Sequence, residues 1–157
     1  MPKKLSMADF EQIVRNTPLV AIDLVVRSRD GRLLLGRRNN EPAKDWFFVP
    51  GGRIFKGERI EDAFSRIVED ELGIKRGINE AHSLGVHQHF YQTNALGIQG
   101  FGTHYIVMAY ELRLESGLRE LPQGQHCEYR WMTWEEAGAH AEVHPNSKAY
   151  LDLLRAP

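Results

Sequence analysis

The chain has 157 residues, 42% hydrophobic and 26% charged, with a formal net charge of −1 and one cysteine. That is enough chain to bury a core as a single domain over 1–157; the balanced charge gives no general attraction to nucleic acid, and the lone Cys127 allows no internal disulfide, which fits a reducing compartment. The longest apolar run, 19–26, is broken by Asp23 and is far below membrane-spanning length, and no apolar stretch follows the N-terminal lysines, so neither a membrane partner nor a signal peptide is expected and the cytoplasm is the default location.

Taken in order, Ser6 is placed to cap a short helix, with Asp9 three residues on as an approximate capping box. Met7, Phe10, Ile13 and Val14 give that helix an apolar stripe, and Pro18 follows its end. The stripe serves to pack on a sheet or a second subunit; alternatively Leu5 and Phe10 line a base pocket, including one in a neighbouring subunit. Residues 19–27 read as a strand rich in Val, Ile and Leu, with Asp23 mid-strand among apolar neighbours. A charge there needs a partner or solvent, or it accepts a hydrogen bond from a substrate. Asp30-Gly31 signals a hairpin into a second strand, 32–38. Arg37 and Arg38 alternate faces, so at most one enters a cleft, where a guanidinium can grip phosphate oxygens.

Residues 46–49 read as a short strand ended by Pro50, then a Gly51-Gly52 turn with Arg53 directly after it as a phosphate candidate. Residues 59–72 follow as about four turns of helix ending at Gly73. On that helix Ile60, Phe64, Ile67 and Val68 form one stripe, edged by Ala63 and Leu72, with Glu71 in its middle. A carboxylate on a buried face is costly unless paired, hydrogen-bonded or holding a metal, and Arg66 is the plain pairing partner.

Two strands, 83–91 and 103–112, are joined by a Gly/Asn/Gln-rich linker. His87, His89 and Tyr91 share a face of the first, while His104 and Tyr105 open the second on opposite faces. Pro122 and Gly124 mark a loop holding Gln125 and His126. A last strand over 128–134 leads to a short helix, 134–140, and a C-terminal helix, 147–154, capped by Ser147. Adjacent residues on extended chain point to opposite sides, so His126 and Cys127 are poorly placed to act as a base–thiol pair. The whole is an α/β (α+β) arrangement of sheet and helices.

Gly52, Glu58, Arg66, Val68, Glu71, Gly73 and Ile74 resemble the Nudix box, Gx5Ex7REUxEExGU with U aliphatic. Two positions depart from it: Ile67 stands where the box has a metal-binding Glu, and Asp70 where it has Glu. With Ile67 there, the box is read to hold one hard cation, at Glu71 and backbone oxygen of the Gly-Gly turn. Longer segments, including LLLGRRNNEPAKDWFFVPGGR, HQHFY, THYIV, QHCEYRW and HPNSKAY, resemble the GDP-mannose mannosyl hydrolase branch of that superfamily over most of 17–150.

The resemblance implies a Nudix fold, a mixed β-sheet sandwiched between α-helices, and a homodimer. It implies hydrolysis of GDP-mannose, with GDP-glucose as a further GDP-hexose substrate, by water attack at the sugar C1 with inversion. Mg2+ (or Mn2+) would be held by Gly51, Glu71 and Gln125, and His126 would be the general base. Arg38, Arg53 and Tyr105 would bind the diphosphate, Arg66 would support the site, Asp23 and His89 would orient sugar or base, and Lys4, Leu5 and Phe10 would meet the guanine. Two other functions stay open: a conventional Nudix pyrophosphohydrolase cutting P–O, and a nucleotide-sugar binding module without turnover.

Overall fold

The computed structural model describes residues 3–115, 118, 121, 122, 124 and 126–155, the side chains of Cys127 and Arg155 excepted. Among the described residues, seven strands form one mixed sheet with helices on both faces. The order along the chain is α1 (Met7–Asn16), β1 (Leu19–Arg27), β2 (Leu33–Arg38), β3 (Phe47–Phe48), β4 (Gly51–Arg53), α2 (Ile60–Leu72), β5 (His82–Tyr91), β6 (Thr103–Arg113), β7 (His126–Met132), α3 (Trp134–Ala139) and α4 (Pro145–Arg155). The strands run β3-β2-β1-β6-β5 across the sheet, with β4 on β1 and β7 on β2. Strand β1 is parallel to β6, from Leu19 beside Tyr105 to Arg27 beside Arg113.

Strand β1 is buried on both faces, and alternation sorts its side chains. Ile22, Leu24 and Val26 pack with Phe64, Ile67, Val68 and Leu72 of α2. Val25 faces the other way, into a core with Phe47, Phe48, Ala137, Tyr150 and Leu151 under α3 and α4. Asp23 shares Val25's side, which aims its carboxylate at Tyr150 in the middle of α4.

Ser6 caps α1 by accepting from the Asp9 amide at 3.1 Å, as its sequence predicts. Helix α2 starts one residue later than expected, at Ile60, which is 41% exposed and lies outside the stripe. The buried face is Ala63, Phe64, Ile67, Val68, Glu71 and Leu72, and Gly73 closes the helix at φ 68°. Pairing between β1 and β2 is confined to Arg27 with Leu33, because β4 occupies β1's edge at Ala21, Ile22 and Asp23.

Four local readings change. Gly51 and Gly52 lie in strand β4, not in a turn. They are small for clearance: a Cβ on Gly51 would sit 2.6 Å from the Ile22 carbonyl oxygen and 2.7 Å from Asp23 Oδ1, and one on Gly52 3.1 Å from Ile67 Cγ1. Gly51→Ala is therefore expected to destabilise the fold by about 1–3 kcal/mol, read as a lowered urea midpoint. The last strand begins at His126 rather than 128, because His126 continues the ladder opposite Arg38, and Thr133 ends the strand by capping α3. Ser147 is inside α4, where its Oγ accepts from the Val49 amide at 3.1 Å. Arg66 turns to Glu58 and Asp70, leaving Glu71 to other neighbours. Among the described residues no helix is long and apolar enough to cross a membrane.

Candidate active site

A cleft of about 450 Å3 opens beside the start of β1. Ala21 and Asp23 of β1, Gly51 to Arg53 of β4, His89 and Tyr91 of β5, and Tyr105 and Val107 of β6 form its floor. Phe10 of α1, Arg38 at the end of β2, Phe55, and Arg66 and Asp70 of α2 form its rim. A depression of about 620 Å3 at the opposite end of β1, around Ser28, Arg29, Asp30 and Trp131, is more open. The strongly perturbed carboxyls and histidines lie elsewhere, so the smaller cleft is the chemical one.

Three arginines reach the cleft in different states. The Arg66 guanidinium makes two bonds to Glu58, at 2.7 and 2.9 Å, and a third to the Arg53 carbonyl at 2.8 Å. Glu58 also accepts from the Phe55 amide at 2.8 Å, so this clasp ties α2 to β4 and the intervening turn. Arg38 donates to the Pro42 carbonyl at 2.8 Å. The Arg53 guanidinium lies over Phe10 at 4.6 Å and near Phe55 at 5.4 Å. Among the described residues neither Arg38 nor Arg53 has a carboxylate within ion-pair distance, while Arg66 does. Two such cations in one cleft suit an anion with several oxygens, and a diphosphate is one.

Burial shapes the acids and bases. It raises the Asp23 carboxyl to about 7, against the Tyr150 hydrogen bond and Arg38, which lower it. It raises Glu71 to about 7 as well, with Arg38 opposing and Asp70 adding to the rise. It lowers His126 to about 4, helped by Arg38, and lowers His89 to about 4, helped by His87 and His144. Burial also raises Tyr105, while Arg38 and Arg53 pull it down. Both histidines are thus neutral near pH 7.

Glu71 and His126 form a buried pair behind the cleft. Glu71 is 4% exposed and His126 1% exposed, with Glu71 Oε2 at 3.5 Å from His126 Nδ1. That approach is not an ion pair, because burial keeps His126 uncharged. Tyr129 OH stands 3.4 Å from the same Nδ1 and donates to the Pro122 carbonyl. Glu71 Oε2 and His126 Nε2 are both buried without a hydrogen-bond partner. The His126 ring lies against Gly36, where a Cβ would meet it at 2.7 Å.

Of the site residues expected from the sequence, the cleft lining brings together Asp23, Arg38, Gly51, Arg53, Arg66, His89, Tyr105 and Phe10. Phe10 comes from the chain's own α1. Glu71 and His126 sit one layer deeper, Lys4 and Leu5 are exposed outside the lining, and Gln125 is outside the described residues. Tyr91, on the strand face of His87 and His89, belongs to the same constellation, and so do Phe48, Asn146 and Tyr150, which carry no site role in the sequence analysis. A run of aromatic and polar residues in the segments 87–91 and 144–150 was the available signal.

The donors suit a hard divalent cation: Glu71 offers a buried carboxylate oxygen with no bonded partner, and Gly51, on the cleft floor, has a carbonyl to add. The mid-helix neighbour that would add a second charge, Ile67, is 1% exposed hydrocarbon packed under Gly52. Among the described residues no three of His, Cys, Asp and Glu gather as a metal-binding group.

Residues 17–154 match the NUDIX domain. The chain is 39% identical over 147 residues to the low-salt glycan biosynthesis protein Agl8 of Haloferax volcanii, covering 93% of this chain and 88% of that one. Its fold is similar to the MutT NUDIX hydrolase of Burkholderia pseudomallei, with TM-score 0.70 and 25% identity over 88% of this chain and 99% of that one. It is also similar in fold to the NUDIX domain of Shewanella oneidensis NrtR, solved with ADP ribose, with TM-score 0.68 and 14% identity over 96% of this chain and 97% of that one.

Proposed function

The chain belongs to the NUDIX domain family, and from that premise we propose that it hydrolyses a GDP-hexose, GDP-mannose or GDP-glucose, to GDP and free hexose by water attack at the sugar C1. As a Nudix hydrolase it acts on nucleotide-linked substrates. The Haloferax relative is named for glycan biosynthesis, which favours an activated sugar among them. One observation carries the choice of bond: Ile67 fills with packed hydrocarbon the position where the box has its metal-binding carboxylate, so α2 offers Glu71 as its buried acid. Attack at an anomeric carbon has an oxocarbenium-like transition state, which needs a stabilised leaving group and a positioned base more than a metal-made hydroxide.

On this reading Arg38, Arg53 and the Tyr105 hydroxyl bind the diphosphate oxygens and neutralise them as the C1–O bond breaks. Arg66 holds Arg53's backbone in place through its carbonyl. Phe10 covers the Arg53 side of the cleft, and Lys4 and Leu5 reach the guanine. Asp23 and His89 orient the hexose. His126, neutral and with Nε2 unbonded, takes the proton of the attacking water; the oxygen bonds to C1 with inversion and GDP leaves with the bonding pair. Glu71 and Tyr129 stand at Nδ1, which leaves Nε2 as the ring nitrogen for that proton. Mg2+ or Mn2+, held by Glu71, the Gly51 carbonyl and Gln125, would supply Lewis-acid charge to the departing diphosphate. The enzyme works as a cytoplasmic homodimer, a contact for which the exposed Val86 and Phe90 of β5 supply apolar surface.

A second reading has one observation in its favour. Asp70 lines the cleft with its side chain 61% exposed, where it can add a second cation and favour attack at phosphorus. Following GDP-mannose with Mg2+ by NMR separates the two. Free mannose and GDP are expected; mannose 1-phosphate and GMP would replace the first reading with the second.

A further inference from the structure

Helix α4 packs on the sheet, yet three of its side chains, and His144 just before it, reach residues that line the cleft. Ser147 accepts from the Val49 amide at 3.1 Å, and Asn146 Nδ2 donates to Tyr91 OH at 3.2 Å. The His144 ring lies 4.8 Å from Phe48 and 5.6 Å from Tyr91. Tyr150 goes furthest. It is 1% exposed, and its hydroxyl donates to Asp23 Oδ2 at 2.6 Å. His89 Nε2 stands 3.5 Å from the same hydroxyl. A tyrosine hydroxyl has one proton, and here it goes to Asp23, so His89 meets it as the donor, in its neutral Nε2–H form.

The consequence falls on Asp23. With Oδ2 engaged, Oδ1 is the oxygen left for a ligand, and it faces the Gly51 Cα, where a side chain would collide at 2.7 Å. A carboxylate turning freely about its last bond offers a ligand either oxygen in many directions. One held by a buried phenol, itself carried on α4 and packed against the His87 ring at 5.1 Å, offers one oxygen in one direction. An acceptor fixed in this way selects a hydroxyl at a set position, and the sugar is the hydroxyl-rich part of the substrate.

We propose that Tyr150 is a positioning residue: its hydroxyl locks Asp23 so that the free carboxylate oxygen accepts a hydroxyl of the hexose, and this pair makes the cleft prefer a nucleotide sugar to the bare nucleotide. The inference rests on the GDP-hexose reading above and adds a specificity element from outside the cleft lining. Tyr150→Phe keeps the ring that fills the core and removes the bond.

The test is a double-mutant cycle of Tyr150→Phe and Asp23→Asn, read in kcat/KM for GDP-mannose and in the inhibition constant of GDP. Tyr150→Phe is expected to lower kcat/KM about tenfold and to leave GDP inhibition unchanged. The double variant is expected to be no worse than Asp23→Asn alone, because Tyr150 acts through Asp23. Losses that multiply, or a weakening of GDP equal to that of GDP-mannose, would reduce Tyr150 to a core residue and overturn the proposal. The wild-type protein judges the underlying reading separately. If it binds GDP-mannose without turnover, the same cycle read in dissociation constants still decides Tyr150; if it binds no GDP-hexose, the substrate reading and this inference both fall.

Discussion

Glu71→Gln is expected to lower metal-dependent turnover on the order of 10³-fold while making the metal-free fold more stable. The catalytic loss follows from exchanging a charged oxygen ligand for a neutral amide at the acid that α2 buries, where the cation's charge is worth several kcal/mol to the leaving group. The gain in stability has a separate origin. Glu71 is buried with an unbonded Oε2, and burial raises its carboxyl from 4.5 to about 7. The folded state therefore holds this proton at a pH where an unfolded chain has released it. The group's stabilising contribution is complete below pH 4.5 and is lost as pH rises through about 7, a cost of about 3 kcal/mol to the wild-type fold above that range. Glutamine does not titrate, so the variant is expected to unfold at higher urea than the wild type at about pH 8 without metal, and the difference to close near pH 4.5. Saturating Mg2+ is expected to restore stability to the wild type, by about 2.7 kcal/mol at a hundredfold excess over its dissociation constant, and to leave Glu71→Gln unmoved. Equal response of both proteins to Mg2+ would remove Glu71 from the cation site.

His126→Ala is expected to cut kcat by about 10²–10⁴-fold with little change in GDP binding, the usual worth of a general base. The ring is buried against Gly36 and beside Glu71, so its removal leaves a cavity of its own shape. Imidazole added to the assay is expected to enter that cavity and restore part of the rate. The cavity also lowers stability, but a loss of stability alone would not answer to imidazole. Gly36→Ala supplies the converse, since its methyl would stand 2.7 Å from the ring and displace it without removing any titrating group. An unchanged rate in His126→Ala would make the histidine a packing residue and move the chemistry to the open part of the cleft, around Asp70.

Much of this arrangement was legible in the residues because its signals are local. The helical period of α2 put Glu71 on a buried face, and α2 does bury it. Strand alternation separated Arg37 from Arg38, and the structure sends Arg37 to Glu128 and Glu142 and Arg38 to the cleft. Asp23 stood out as a charge in an apolar strand, and it does face a partner. That partner is Tyr150, 127 residues away, and no local pattern pairs the two. The Gly51-Gly52 pair signals a turn by composition, yet sheet pairing with β1 holds it extended, and the need for small residues comes from Ile22, Asp23 and Ile67 pressing on it. His126 looked like part of a loop because Pro122 and Gly124 precede it, whereas the ladder with Arg38 draws it into β7 and under Gly36. In each case the missing information was a contact between distant segments.

Hydrolysis of GDP-mannose with Mg2+ in ¹⁸O-labelled water, followed by mass analysis of both products, separates attack at carbon from attack at phosphorus. The label is expected in free mannose and none in GDP, because water bonds to C1 and the departing diphosphate keeps its own oxygen. Label in a phosphate group, with GMP and mannose 1-phosphate as products, would contradict it and show that the chain attacks phosphorus despite Ile67.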